Sequence, residues 1–200
     1  RWFAALDSGK LVGMLLHDIT KAFDSIPHGL LLRELQAVHC SINVLRWFSS
    51  YLSERRQRVI TSDVPALWKN ISCGVPQCSC LSPLLFSIYI RELPRCTSTP
   101  SLQFADDTSL FETDHSVDVI KDKLSRGFQD VTDFCGEKGL SLNVTKTQFI
   151  VIKAARKRIP DNLMITLGNV DVPVVNSVRL LGFTIDRHLT FADHVRNTVH

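Results

Sequence analysis

The chain has 200 residues, 44% of them apolar and 22% charged, with a net charge of +3. That is the composition of a soluble globular protein, long enough for one domain with a substantial core and with room for a second. Its six cysteines include no CxxC pair, and no histidine cluster has zinc-ligand spacing. The longest apolar run, Leu81 to Ile90, is too short for a bilayer and contains Ser and Pro, so a zinc module and a membrane span are excluded and reduced thiols are expected.

In chain order, Leu11 to Leu16 reads as a buried strand that ends at His17-Asp18 and leaves a carboxylate at its edge. After Pro27, Leu30, Leu31, Leu35 and Val38 have helical spacing, and a second helical stretch covers Val44 to Leu52. Val59 to Ile71 alternates weakly, as a strand or hairpin would. Ser82-Pro83 reads as a helix start with Ser as N-cap and Pro in the first helical position. Ser116 to Lys138 is the clearest helix, with Val117, Ile120, Leu124, Phe128, Val131 and Cys135 on one stripe and Gly139 past its end. Strands follow at Gln148 to Ile152, in one or two pieces over Leu163 to Val175, and at Val178 to Ile185, broken by Gly182. Strands and helices mix without a regular βαβ rhythm, which predicts an α+β fold, an antiparallel sheet with helices on one face.

Within Leu102 to Phe111, Asp106-Asp107 is an acidic pair in an otherwise apolar stretch. The pattern suits two short buried strands joined by a tight turn with the pair at its tip. Buried vicinal carboxylates need a cation or hydrogen-bond donors, so the tip is a candidate divalent-metal site; a solvated Asp turn is the plainer alternative. If the strand ending at Asp18 lies beside this hairpin, three carboxylates converge, a set that suits two metal ions and displacement at a phosphate. Two basic runs, Arg55-Arg56-Gln57-Arg58 and Lys153 to Arg158, hold seven of the 23 basic residues and read either as solvated faces or as phosphate contacts. For Lys153 to Arg158, a nuclear import signal is a further reading.

Five motifs carry a resemblance. Asp18-Ile-Thr-Lys-Ala-Phe-Asp24, Gly74-Val-Pro-Gln-Cys-Ser-Cys-Leu-Ser-Pro83, Phe104-Ala-Asp-Asp107, Gly139 to Thr147 and Leu180-Leu-Gly-Phe-Thr184 stand in the order and spacing of a polymerase palm. Together they resemble the reverse transcriptase domain of non-LTR (LINE-type) retrotransposons, over nearly the whole chain.

The resemblance implies a right-hand polymerase palm plus part of the fingers. About residues 1–104 would carry the first two motifs with partial fingers, and about 105–200 the other three. The chain is read as a piece of a longer protein, with upstream fingers and downstream thumb outside it. Asp18, Asp106 and Asp107 would bind two magnesium ions, with manganese as a substitute, and Lys146 would protonate the leaving pyrophosphate. The backbone amides of Lys21 and Ala22 would face the triphosphate. Phe23 would lie under the incoming sugar, Gln77 would reach nucleotide and template, and Leu181-Gly182 would grip the primer.

The implied reaction joins a deoxynucleotide to a primer 3′-hydroxyl on an RNA template. RNA template, DNA primer and deoxynucleoside triphosphates are therefore the expected partners, with no membrane, and the expected location is the nucleus or cytoplasm. Cys78 stands where the family has Gly, His17 where it has an apolar residue, and Cys80 where it has an aliphatic one. The first departure motivates an alternative, a catalytically inactive remnant that binds nucleic acid. The Asp18/Asp24 spacing also fits an RNA-dependent RNA polymerase, which Phe23 and Ala105 speak against. His17, on an alternating strand, should face away from Asp18 as a satisfied core histidine.

Overall fold

The computed structural model describes residues 2–61, 66–77, 79–160 and 162–198. The elements run α1 (Trp2–Asp7), β1 (Leu11–His17), α2 (Ala22–Ser25), α3 (His28–Ala37), α4 (Ile42–Leu52), β2 (Arg56–Gln57), β3 (Lys69–Asn70) and α5 (Ser82–Tyr89). They continue through β4 (Ser101–Phe104), β5 (Asp107–Asp114), α6 (Val117–Glu137), β6 (Gln148–Ile152), β7 (Met164–Leu167), β8 (Val170–Val175), β9 (Ser177–Leu180), β10 (Phe183–Asp186) and α7 (Ala192–Thr198). Two compact units result. One comprises Arg1–Asp18, Leu93–Phe134 and Leu142–His200; the other comprises Ile19–Glu92 with Cys135–Ser141.

The first unit is built on a six-stranded sheet in the order β4-β5-β1-β6-β8-β7. Every neighbouring pair is antiparallel except β6 with β8, so the sheet is mixed where the sequence predicts an antiparallel one. β1 reads as a continuous apolar run because it is interior to the sheet and covered on both faces. On one face lies α6, and Gly13 lets it approach: a Cβ there would sit 2.2 Å from Cγ2 of Ile120. On the other face Val12 and Met14 join Ile150 and Ile152 under Ala5 of α1 and Val178, Ile185 and Leu189. Helices therefore cover both faces, the second with help from the β9–β10 hairpin.

The second unit packs α3 against α4 and α5. Leu31, Leu35, Phe48, Leu52, Leu85, Phe86 and Tyr89 form its buried core. Glu34 is its half-buried polar tie, paired with Arg91 at 3.0 Å and with Lys138.

Three local expectations change. The hairpin strands around the acidic pair are not both buried: β4 is the edge strand, exposing Leu102 and Phe104, while β5 inside it buries Thr108 to Leu110. Ser82 is not the N-cap of α5. Leu81 holds that place, and the Ser82 hydroxyl lies inside the helix, donating to the Pro76 carbonyl. The strand or hairpin expected over Val59 to Ile71 is the hairpin, of two-residue strands β2 and β3, but it starts earlier, at Arg56, and 62–65 lie outside the described residues.

Candidate active site

Strand register brings Asp18 to the centre of the sheet unit's edge. β1 pairs with β5 as far as His17 opposite Thr108, so one step on, Asp18 falls opposite Asp107. β1 pairs with β6 as far as Leu16 opposite Gln148, so two steps on, Asp18 falls opposite Lys146. The Lys146 ammonium lies 3.2 Å from the Asp18 carboxylate. It sits at the end of a 3₁₀ turn, Val144–Lys146, rather than in a strand.

Asn143 builds that turn. Its side-chain oxygen accepts from the Lys146 amide (3.3 Å) and the Thr145 hydroxyl (2.7 Å), and its backbone amide donates to the Asp18 carbonyl at 2.8 Å. Asn143 had no separate role in the sequence reading, although Asn two residues before Thr is a turn signal.

Asp106 and Asp107 arrive on a tight hairpin. Phe104 pairs with Asp107, so Ala105 and Asp106 form the turn, with Ala105 at φ 53°. A left-handed alanine costs about 1–2 kcal/mol, strain of the kind that surrounding structure must hold at a tip. Burial and then the charges of Asp106 and Asp18 raise the Asp107 carboxyl above its usual range. Asp107 therefore feels both of the other carboxylates, though among the described residues no three His, Cys, Asp or Glu side chains form a ready metal cage. The donors nonetheless fit magnesium. It prefers hard oxygen and usually takes one or two protein carboxylates, completing its shell with water and substrate phosphate.

An open cavity of about 600 Å³ lies at this edge, and Asp106 is not among the residues that line it. Asp18, Asp107 and Lys146 line it with Arg179 and Leu181. Leu181 and Gly182 are the turn of the β9–β10 hairpin, both at positive φ (48° and 86°), as a tight two-residue hairpin turn requires. Gly182 itself does not line the cavity. Arg179, which the sequence reading passed over, supplies it with a second cation.

His17 turns to the opposite face, edge-on to Phe128 of α6 with ring centroids 5.9 Å apart. It is buried as expected but not satisfied, since neither ring nitrogen has a hydrogen-bond partner. Opposite it across the ladder, the buried Thr108 hydroxyl is unpartnered too. Burial lowers the His17 pKa from 6.5 to about 4, against the pull of Asp18, so the ring is neutral at pH 7.

The other unit carries the remaining sequence candidates. Lys21, at φ 47°, caps α2, and its carbonyl accepts from the Asp24 and Ser25 amides. Ala22 is buried in the first turn, and the Phe23 ring packs 4.7 Å from that of Phe86. The Gln77 side-chain amide donates to both Asp24 oxygens, at 2.9 and 3.1 Å. Gly74 makes this possible: it has φ 86°, and a Cβ there would lie 2.8 Å from the Asp24 carbonyl oxygen. Lys21, Asp24 and Gln77 line a cavity of about 750 Å³ with Arg55 and Arg56. Cys78 lies outside the described residues. In the second basic run the Lys153 ammonium donates to the Lys157 carbonyl, and the Lys157 ammonium to the Gly9 and His115 carbonyls. Those two cations serve the fold.

Residues 4–185 match the family model described as reverse transcriptase (RNA-dependent DNA polymerase). The chain belongs to the reverse transcriptase family. Its similarity to mobile-element polymerases bears out the non-LTR resemblance read from the motifs. It is 28% identical over 96% of its length to the probable RNA-directed DNA polymerase from transposon X-element of Drosophila melanogaster. It is 24% identical over 98% to the RNA-directed DNA polymerase from mobile element jockey of Drosophila funebris. It spans only 21% and 22% of those proteins.

Among solved structures the reverse transcriptase fold recurs in telomerase. The Candida albicans enzyme, in complex with a fragment of telomeric RNA, superposes with TM-score 0.60 at 14% identity, over 92% of this chain and 32% of that one. Apo telomerase from Candida tropicalis gives 0.59 at 16%, over 90% and 35%. At these identities the likeness is one of fold, an α+β polymerase palm with part of the fingers. No helix among the described residues is long and apolar enough to cross a membrane.

Proposed function

We propose that this reverse transcriptase domain belongs to a non-LTR retrotransposon polymerase and adds deoxynucleotides to a primer 3′-hydroxyl on an RNA template. The observation that carries the reading is the strand-end placement of Asp18 between Asp107 and Lys146. Asp18, Asp106 and Asp107 would hold magnesium, which when bound supplies charge neutralisation at the phosphates and a lowered hydroxyl pKa.

The chain's own groups do the rest. Three carboxylates on one edge repel an incoming triphosphate, while Lys146 and Arg179 attract it into the cavity. The Lys146 ammonium, fixed by Asn143 and Asp18, is a donor suited to the departing pyrophosphate oxygen. The Leu181-Gly182 turn presents a narrow backbone edge to a primer strand. In the other unit Phe23 is the aromatic at the sugar-gate position, and Gln77, anchored by Asp24, is the nucleotide-contacting amide. We read the sheet unit as palm and the helical unit as finger elements, in a longer polypeptide whose remaining parts complete the template path.

Primer extension on an RNA template by the full-length polypeptide tests this. Synthesis that requires a divalent ion and falls about 10²- to 10³-fold or more in Asp106→Asn supports it, the usual worth of one electrostatic group at such a site. Nucleic-acid binding without synthesis, unchanged by Cys78→Gly, would establish the inactive-remnant reading instead.

A further inference from the structure

Two aromatic–arginine clusters of the helical unit stand outside the proposed metal and nucleotide groups, except that Arg55 also lines the cavity of Lys21, Asp24 and Gln77. Trp47 and Tyr51 stand one turn apart on α4 with their rings stacked, centroids 5.2 Å apart and planes 9° apart. Just past the helix, the Arg55 guanidinium lies 5.7 Å over the Tyr51 ring. In the adjoining β2–β3 segment the Arg58 guanidinium lies 4.6 Å over Trp68. Trp47 is 53% exposed and Trp68 57%.

Such aromatic area is costly to leave in water unless something covers it. The charge says what. From Ser41 to Trp68 there are four arginines, Arg46, Arg55, Arg56 and Arg58, against two carboxylates, Glu54 and Asp63. Among the described residues none of the four forms an ion pair. Exposed rings set among unpaired guanidiniums fit a partner that is both flat and anionic. A nucleic-acid strand with unpaired bases has both properties, whereas an apolar peptide would leave the arginines unanswered. A duplex answers the charge but hides its base faces.

We propose that two aromatic–arginine clusters, Trp47–Tyr51–Arg55 and Arg58–Trp68, dock single-stranded nucleic acid, with bases on the indole faces and phosphates on the guanidiniums. The inference rests on the nucleic-acid partner of the reading above but not on catalysis. A binding result therefore stands or falls separately from primer extension.

The test is titration of this chain with a fluorescent oligouridine of about 12 nucleotides, within the usual single-strand site size. The expected result is that Trp47→Ala weakens binding by at least about fivefold, while Trp47→Phe retains most of it. Arg58→Ala should make the salt dependence shallower by about 0.7 in log–log slope. Quenching of tryptophan fluorescence by the oligonucleotide should fall in Trp47→Phe. A duplex of equal length should bind more weakly. Thermal midpoints matching wild type show that the variants are folded. Wild-type affinity in both Trp47→Ala and Arg58→Ala, or equal binding of duplex, overturns the proposal. So does a finding that the face is covered by self-association of the chain.

Discussion

The Lys146 ammonium lies 3.2 Å from the Asp18 carboxylate, joining a 3₁₀ turn to the end of the central strand. With 67% of the lysine side chain and 35% of the aspartate exposed, the pair adds little stability. On the proposed polymerase reading, its value is in placing a proton donor. Lys146→Met should therefore shift unfolding free energy by no more than about 0.5 kcal/mol yet slow primer extension about 10²- to 10⁴-fold, the usual weight of a general acid. Urea denaturation beside single-nucleotide incorporation measures both.

His17 makes the fold acid-sensitive. Its folded pKa of about 4 lies below the ordinary 6.5, so the unfolded chain binds the extra proton between these values. The stability is fully present above pH 6.5 and is lost as pH falls toward 4, by about 3 kcal/mol. Asp107 acts in the opposite sense, because its raised pKa favours the folded state at low pH and that contribution disappears as pH rises. Urea midpoints across pH 7 to 4 should fall steeply in wild type and much less in His17→Leu.

Asp24 fixes the Gln77 amide with two hydrogen bonds between exposed groups. Asp24→Ala should leave stability within about 1 kcal/mol while freeing the amide. The expected kinetic signature is a raised KM for deoxynucleotide with a smaller change in kcat. An unchanged KM would remove Gln77 from the nucleotide site.

Gly13 sets how closely α6 packs on the sheet. Gly13→Ala drives a Cβ to 2.2 Å from the Ile120 β-methyl, so about 1–3 kcal/mol of destabilisation is expected. Ile120→Leu, which lacks that methyl, should restore part of it in the double variant. Thermal melts of the four proteins read the coupling.

Much of the site was legible because its residues sit at ends of strongly patterned elements. The apolar run of β1 points to Asp18, and the apolar flanks of Asp106-Asp107 point to a hairpin, whatever the individual burial. The edge position of β4 was not legible, since only the strand order exposes Leu102 and Phe104. Nor was the unsatisfied state of His17, which depends on α6 placing Phe128 rather than a polar group against the ring. Ser82 misled because a Ser-Pro start looks the same whether the hydroxyl caps its own helix or reaches Pro76. The Asp24–Gln77 tie joins positions far apart in the chain, and nothing local announces it.

We infer that Asp18, Asp106 and Asp107 hold a divalent ion on one sheet edge. The most direct test is manganese titration of the isotope-labelled chain, read as paramagnetic broadening of backbone amides. Signals of Asp18, Asp107 and Thr108 should broaden first, and Asp106→Asn with Asp107→Asn should abolish the effect. Broadening centred elsewhere, or surviving both substitutions, would contradict it.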